Sequence, residues 1–330
     1  GMAGPLAGRA LAALLLACCL AAPEALRQPQ RSDGGAEEAP RLLVVVNVHE
    51  KPEVAALQCE HINLRLQKNF RPEVALSCNS FMYSNLSNTT LPPNVHLNPK
   101  VIEKKRFTGT LLRGIISNLR FLASRQGFGY ALILSSKSRI VRDITEEDIV
   151  NSISMCSQYI IKNCSEICHM STCESRMPWN QGRWNSFRKT LLGQAVLNGG
   201  SSTSTGSAKQ PSGMLLGGIH EGLVLDAATV LKILRFLSLN PSIEEDLYHW
   251  HDAVEEFALH TLAVYVGGTF GILGHNGHDG GHRPSSFYKV EKCDRTVADF
   301  TEGFGVRPPL PFQKKKGIKI PKAVRALLGW

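Results

Sequence analysis

Leu42–Val46 reads LLVVV, an unbroken apolar run in which Val44, Val45 and Val46 are β-branched. A strand with one wet face alternates apolar and polar residues, whereas a strand covered on both faces has no reason to alternate. The run therefore predicts a strand inside a parallel sheet with helices on either side. Asn47–Val48–His49–Glu50–Lys51–Pro52 follows as a loop at its carboxyl end. A helix is then expected from about Glu53 to Gln67, with Val54, Leu57, His61 and Leu64 along one side. Val74–Ser77 (VALS) gives a second strand, Leu111–Leu122 (LLRGIISNLRFL) a helix, and Gly129–Ser135 (GYALILS) a third buried strand. This alternation specifies an α/β fold, a Rossmann-type central sheet flanked by helices. Ligands of such sheets bind beyond the carboxyl ends of the strands. Asn47–Glu50 and Ser135–Arg139 are thus the first candidate site segments, with His49 and Glu50 in one and Ser135, Ser136, Lys137 and Arg139 in the other.

The second half of the chain is less regular. A Cys-rich segment spans residues 156–173, followed by an aromatic and basic patch, Met177–Trp184, and a Gly/Ser-rich stretch at 199–213 that reads as a flexible loop. Met214–Val224 (MLLGGIHEGLV) is strand-like but broken by glycines. Asp226 is placed to cap a helix through Ala227–Leu237, and another helix begins near Ser242. Gly271–Gly281 reads as a Gly/His loop and Phe287–Val290 as a last short strand.

Within Tyr248–Gly268 (YHWHDAVEEFALHTLAVYVGG), Glu255 and Glu256 open an apolar run in which Phe257, Thr261 and Val264 recur at helical spacing. Both acids therefore sit at a helix N-terminus, where the helix dipole favours a carboxylate. Two roles suit that position: ordinary capping, or a general base.

The 330 residues, 43% of them hydrophobic, suffice for one large domain, here placed at residues 41–300. Residues 1–25 carry Arg9 ahead of the short apolar run Ala10–Ala22, the pattern of a secretory signal or a short signal-anchor. Residues 26–40 read as a linker, and residues 301–330 as a basic tail. The expected location is the secretory pathway, either the Golgi lumen or outside the cell, with membrane attachment through the N-terminus as the alternative to cleavage. Cys59, Cys78, Cys156, Cys164, Cys168, Cys173 and Cys293 lie beyond the leader, and an oxidising lumen would pair most of them and leave one free. Asn85, Asn88 and Asn163 begin glycosylation sequons. The net charge of +9 suits an anionic partner. Nucleic acid is disfavoured, because no basic stretch carries interleaved aromatics and no zinc-finger spacing occurs.

Three further segments carry a resemblance. LLVVVNVHEKPEVAALQCEHI, KRFTGTLLRGIISNLRFLAS with Arg106 in its basic–aromatic–Gly start, and GYALILSS occur in the order seen in the core-2/I-branching β-1,6-N-acetylglucosaminyltransferases and the peptide O-xylosyltransferases. MLLGGIHEGLVLDAATVLKIL and AVEEFALHTLA resemble the later segments of the same family. The resemblance implies a GT-A-like fold and an inverting transfer of GlcNAc or xylose from a UDP-sugar to a glycan or protein acceptor. It places the catalytic base on Glu256 and puts Glu255 in the position of the family's Asp. It also implies metal independence, with no cofactor beyond the donor; no Asp-x-Asp follows GYALILS here. Basic residues near the C-terminus would then hold the diphosphate, and Arg283, Lys289 and Arg295 are the candidates. Glu221 is placed to bind acceptor hydroxyls, and Trp184 either to stack on an acceptor sugar or to fill the core.

Two other readings compete. One is a secreted carbohydrate- or protein-binding module on a degenerate transferase fold. The other is a zinc-dependent hydrolase whose metal would be held by His275, His278, Asp279 and His282 (HNGHDGGH).

Overall fold

In a computed structural model, Leu42–Val46 forms the middle of strand β1 (Arg41–Asn47), buried from Leu42 onward. The structure describes residues 38–48, 51–104, 108–125, 127–136, 138–161, 181–198, 215–218, 220–251, 253–275 and 289–292. Everything below concerns the unit that begins at Ala39.

β1 lies between β2 (Arg71–Ser77) and β4 (Tyr130–Ser135), parallel to both. Its side chains alternate between two cores: Leu43 and Val45 enter one, and Leu42, Val44 and Val46 the other. That is why the sequence shows no alternation. The first core is closed by α3 (Thr110–Ala123), α5 (Gln181–Phe187), α6 (Leu191–Leu197), α7 (Ala227–Leu239), α8 (Pro241–His249) and α9 (Glu255–Tyr265). The second is closed by α1 (Pro52–Leu66), α2 (Ser80–Leu86) and α4 (Glu146–Ile161).

Among the described residues the main sheet has the order β3-β2-β1-β4-β6-β7, with β3 at Val95–Leu97, β6 at Leu223–Asp226 and β7 at Phe270–Ile272. β3 continues the parallel half, whereas β6 runs antiparallel to both β4 and β7. A smaller sheet joins β5 (Ser138–Ile140), β9 (Val290–Lys292) and β8 (Gly274–His275). The class is α/β.

The second half corrects several expectations. Met214–Val224 is not one strand: Leu215–Gly218 is irregular, and β6 begins only at Leu223. Gly217 packs so tightly that a Cβ there would stand 2.6 Å from the Phe257 ring, and Gly222 turns the chain at φ +83°. Its glycines thus serve close approach and a turn. Gly271 likewise sits in β7 against Ser152 of α4, not in a loop; residues 276–281 lie outside the described residues. α4 was not expected from the sequence; it begins ahead of the Cys-rich segment and runs into it. Its N-terminus carries a reciprocal cap, in which the Asp148 carboxylate accepts from the Thr145 N–H (2.8 Å) and the Asp148 N–H donates to the Thr145 hydroxyl (3.1 Å). The Asp226 cap of α7 is as expected, accepting from the Thr229 N–H at 2.6 Å.

Buried amides tie α3 to the parallel strands. Asn118 donates to the carbonyls of Val46 and Ala75, and Asn98 to Asn118 and Ser117. These bonds hold the middle of α3 against the strands, and the Asn47 amide, donating to the Leu111 carbonyl at 2.9 Å, holds its start at the carboxyl end of β1. Where the sequence led to one free thiol, Cys59 and Cys78 are both free and buried. Asn85 and Asn88 are exposed, as glycan acceptors must be. Among the described residues no helix is long and apolar enough to cross a membrane.

Candidate functional site

The carboxyl end of β4 turns directly into β5, and this turn is the platform of the site. Gln58 of α1 donates its amide to the carbonyls of Ser135 (2.8 Å) and Ser138 (2.9 Å), and the Ser135 N–H donates to the Ser138 hydroxyl. The Ser136 N–H bonds the carbonyl of Asn47 at the end of β1. Ser135, Ser136 and Ser138 are all buried, held by this frame.

Across from it, the turn before β6 brings in His220 and Glu221. The Ser135 hydroxyl reaches the Glu221 carboxylate at 3.4 Å, and His220 Nδ1 lies 3.7 Å from the other Glu221 oxygen. Both residues are buried. Below them, Ala253 adopts φ +57°, a conformation uncommon for a residue with a Cβ, and α9 starts two residues later. The sharp entry aims the first turn of α9 at the His220–Glu221 turn. The Gly218 N–H bonds the Glu256 carbonyl at 2.8 Å, which fixes the two segments together.

The two acids then part company. Successive residues on a helix point about 100° apart. Glu255 points inward and is 3% exposed, and its Oε2 has no hydrogen-bond partner. Burial pushes its carboxyl up to about 7; the neighbouring His220 and its own backbone N–H oppose this, and Glu256 and Glu221 add to it. Glu256 points outward and is half-buried. Its Oε2 lies 3.5 Å from Nη1 of Arg183 on α5 (Gln181–Phe187).

Trp184, the next residue on α5, is buried, with its ring edge-on to Phe257 at 4.9 Å, while Phe187 stacks on the other side of Phe257 at 5.5 Å. It belongs to the core under the acids and offers no open ring face. The Thr108–Gly109 part of the KRFTG segment pairs with Trp250–His251 just ahead of the acids: Thr108 bridges His251, and the Gly109 N–H bonds the Trp250 carbonyl at 2.7 Å.

Ser135, Glu221, Glu255 and Glu256 are therefore brought together. Arg139 is carried on β5 in register with Glu291, and Lys289 forms an ion pair with Asp148 at 3.1 Å. Burial pushes the Asp148 carboxyl up, but the Thr145 hydrogen bonds and Lys289 together hold it below its ordinary range. The Lys289 charge is thus already matched by α4. His49, Glu50, Arg106, Lys137, Arg283 and Arg295 lie outside the described residues, as do three of the four His/Asp positions proposed for zinc. Among the described residues no group of three or more His, Cys, Asp or Glu side chains is arranged to hold a metal.

The sequence reading passed over His220 and Arg183. His220 adjoins Glu221, and Arg183 adjoins Trp184, but nothing in the spacing tied either to the Glu255–Glu256 pair. It also passed over Lys104, the first residue of the KKR run, whose ammonium donates to the carbonyls of Val48 and Ser77 at the ends of β1 and β2. Burial pulls Lys104 down to about 7, against the pull of Cys78 and Glu103. Burial pushes the Cys78 thiol up to about 11, with Lys104 opposing.

No protein-family model matches the chain, and no curated protein matches it.

Proposed function

We propose that this protein is an inverting, metal-independent glycosyltransferase that moves a sugar from a UDP-sugar to a glycan or protein acceptor, with Glu256 as general base. The observation that carries the reading is the split between the two acids. Inverting transfer needs one carboxylate that reaches the acceptor hydroxyl and takes its proton as that oxygen attacks the anomeric carbon. Glu256 is accessible at the first turn of α9, beyond the carboxyl end of β4, and Arg183 holds its orientation. Glu255 is enclosed and suits a supporting role.

The sheet supports the same reading. Four parallel strands in the order β3-β2-β1-β4, followed by an antiparallel β6 and a small second sheet at the carboxyl ends, agree with a GT-A-like arrangement. Leaving-group stabilisation, which some cation must supply, is assigned to Arg283 and Arg295. His49, Glu50 and Ser136, which follow β1 and β4 in the chain, are assigned to the donor, and Glu221 to the acceptor. GlcNAc and xylose are the proposed donor sugars, and the secretory lumen the proposed location.

The test is a panel of UDP-sugars with glycan and peptide acceptors, scored for UDP release with and without EDTA. Release that survives EDTA with one donor supports the reading; UDP binding with no turnover on any donor supports instead a binding module on the same fold.

A further inference from the structure

The short helix α2 takes no part in this chemistry, and its outer face pairs two features. Asn79 caps the helix, its side chain accepting from the Met82 N–H at 2.8 Å, and the Ser80 N–H donates to the Glu103 carboxylate at 2.9 Å. Met82 and Leu86, four residues apart, are the positions that α2 buries. Phe81 and Asn85 each precede one of them by a single residue, about 100° of rotation, and both are exposed. Phe81 is 66% exposed, the only exposed Phe, Tyr or Trp among the described residues. A single exposed apolar side chain needs no explanation. Its position beside Asn85 does, because Asn85 opens the sequon Asn85–Leu86–Ser87.

Residues four apart on a helix are neighbours on its surface, and helical side chains lean toward the helix N-terminus. A group attached to Asn85 therefore lies over the turn that carries Phe81. Asn85 Nδ2 already donates to the Phe81 carbonyl at 2.7 Å. That nitrogen carries two hydrogens, so one can be exchanged for a sugar while the other keeps the bond. The second sequon, Asn88–Thr89–Thr90, lacks this arrangement. Asn88 follows the end of α2, its Nδ2 donates to the carbonyl of Ser84 at 3.0 Å, and Ser84 has no ring to offer.

We propose that Asn85 is an N-glycosylation site whose first N-acetylglucosamine lies on the exposed ring of Phe81. In the attachment Asn85 Nδ2 gives up a proton and bonds to C1 of the sugar. The bond from C1 to a lipid-linked diphosphate breaks, and the diphosphate leaves with the electron pair. One face of the pyranose presents C–H groups, which suit the negative face of an aromatic ring, and covering the ring takes apolar surface out of water. This inference rests on the lumenal location proposed above and is independent of the transfer chemistry.

The full chain is produced in a eukaryotic host with its own N-terminal segment and, separately, behind an added cleavable secretion leader. Asn88→Gln is present throughout, so that on α2 only Asn85 can be modified. Peptide mass spectrometry reads the occupancy of Asn85, and an endoglycosidase then trims the glycan to its first sugar. Thermal midpoints are compared in a cycle of Asn85→Gln, Phe81→Ala and both together. Asn85 should be occupied in both preparations. Asn85→Gln should lower the midpoint by about 2 °C or more with Phe81 present, and leave it unchanged in the Phe81→Ala background. Occupancy only behind the added leader would overturn the lumenal location, and the native modification with it. An unmodified Asn85 behind the added leader would overturn the modification itself, and equal shifts with and without Phe81 would overturn the contact.

Discussion

The Arg183 guanidinium stands 3.5 Å from the Glu256 carboxylate, joining α5 to the first turn of α9 across the mouth of the candidate site. This contact braces the carboxylate proposed as the base. Replacing Arg183 with Ala should lower kcat/KM about tenfold, with most of the loss in kcat, because orientation of the base matters most in the transition state. Removing a neighbouring cation disfavours the ionised carboxylate, so the acid limb of the pH–rate profile should move to higher pH. Arg183→Lys should restore that limb in part. A purely structural role would leave the limb in place.

Glu255 makes a separate prediction. Its carboxyl stands near 7 when folded, against an ordinary value of 4.5, so the folded state holds the proton more tightly. The resulting stabilisation is complete below about pH 4.5 and is lost as pH rises through 7. One pKa unit corresponds to about 1.4 kcal/mol, which makes the swing roughly 3 kcal/mol. Glu255→Gln mimics the protonated form, so its thermal stability should exceed that of the wild type at pH 8 and match it near pH 4.5. Denaturant titrations at the two pH values check this.

Lys104 works in the opposite sense and in the adjoining window. Its folded value near 7 lies below the ordinary 10.5, so the unfolded chain binds more protons between those values. Stability should therefore rise with pH across that range. Lys104→Met should flatten the rise, and the double variant with Glu255→Gln should show neither slope.

Gly217 sets the packing under the acids. A Cβ at this position would stand 2.6 Å from Phe257 Cδ1 and 3.4 Å from Trp184 Cζ2. Gly217→Ala should cost about 1–3 kcal/mol of stability through overpacking. Because Phe257 follows Glu256, transfer activity should fall further than the loss of folded protein accounts for. Circular dichroism together with activity per folded molecule measures both.

Much of the fold was legible in the sequence, for a physical reason. Parallel strands buried on both faces, such as LLVVV and ALILS, leave an unbroken apolar signature, and Asp226 and the Glu255–Glu256 pair marked helix starts through local chemistry. The antiparallel half was not legible: Gly217, Gly222 and Gly271 break the apolar pattern because the chain turns or packs closely at those points. α4 went unread, although Thr145 and Asp148 signal its start through their reciprocal cap. Within the site, the sequence showed two adjacent acids but not which of them faces solvent, since that depends on the rotation of α9 against α3 and α7. Trp184 fills the core against Phe257, one of the two roles its sequence context allowed, and the pairing of Lys289 with Asp148 depends on a tertiary contact that the sequence does not show.

The central claim rests on Glu256, and Glu256→Gln tests it most directly because the amide keeps the shape and removes the base. With the donor that the wild type uses, kcat should fall by about 10²–10⁴, while UDP affinity measured on the same preparation stays unchanged. Turnover equal to that of the wild type would contradict the assignment.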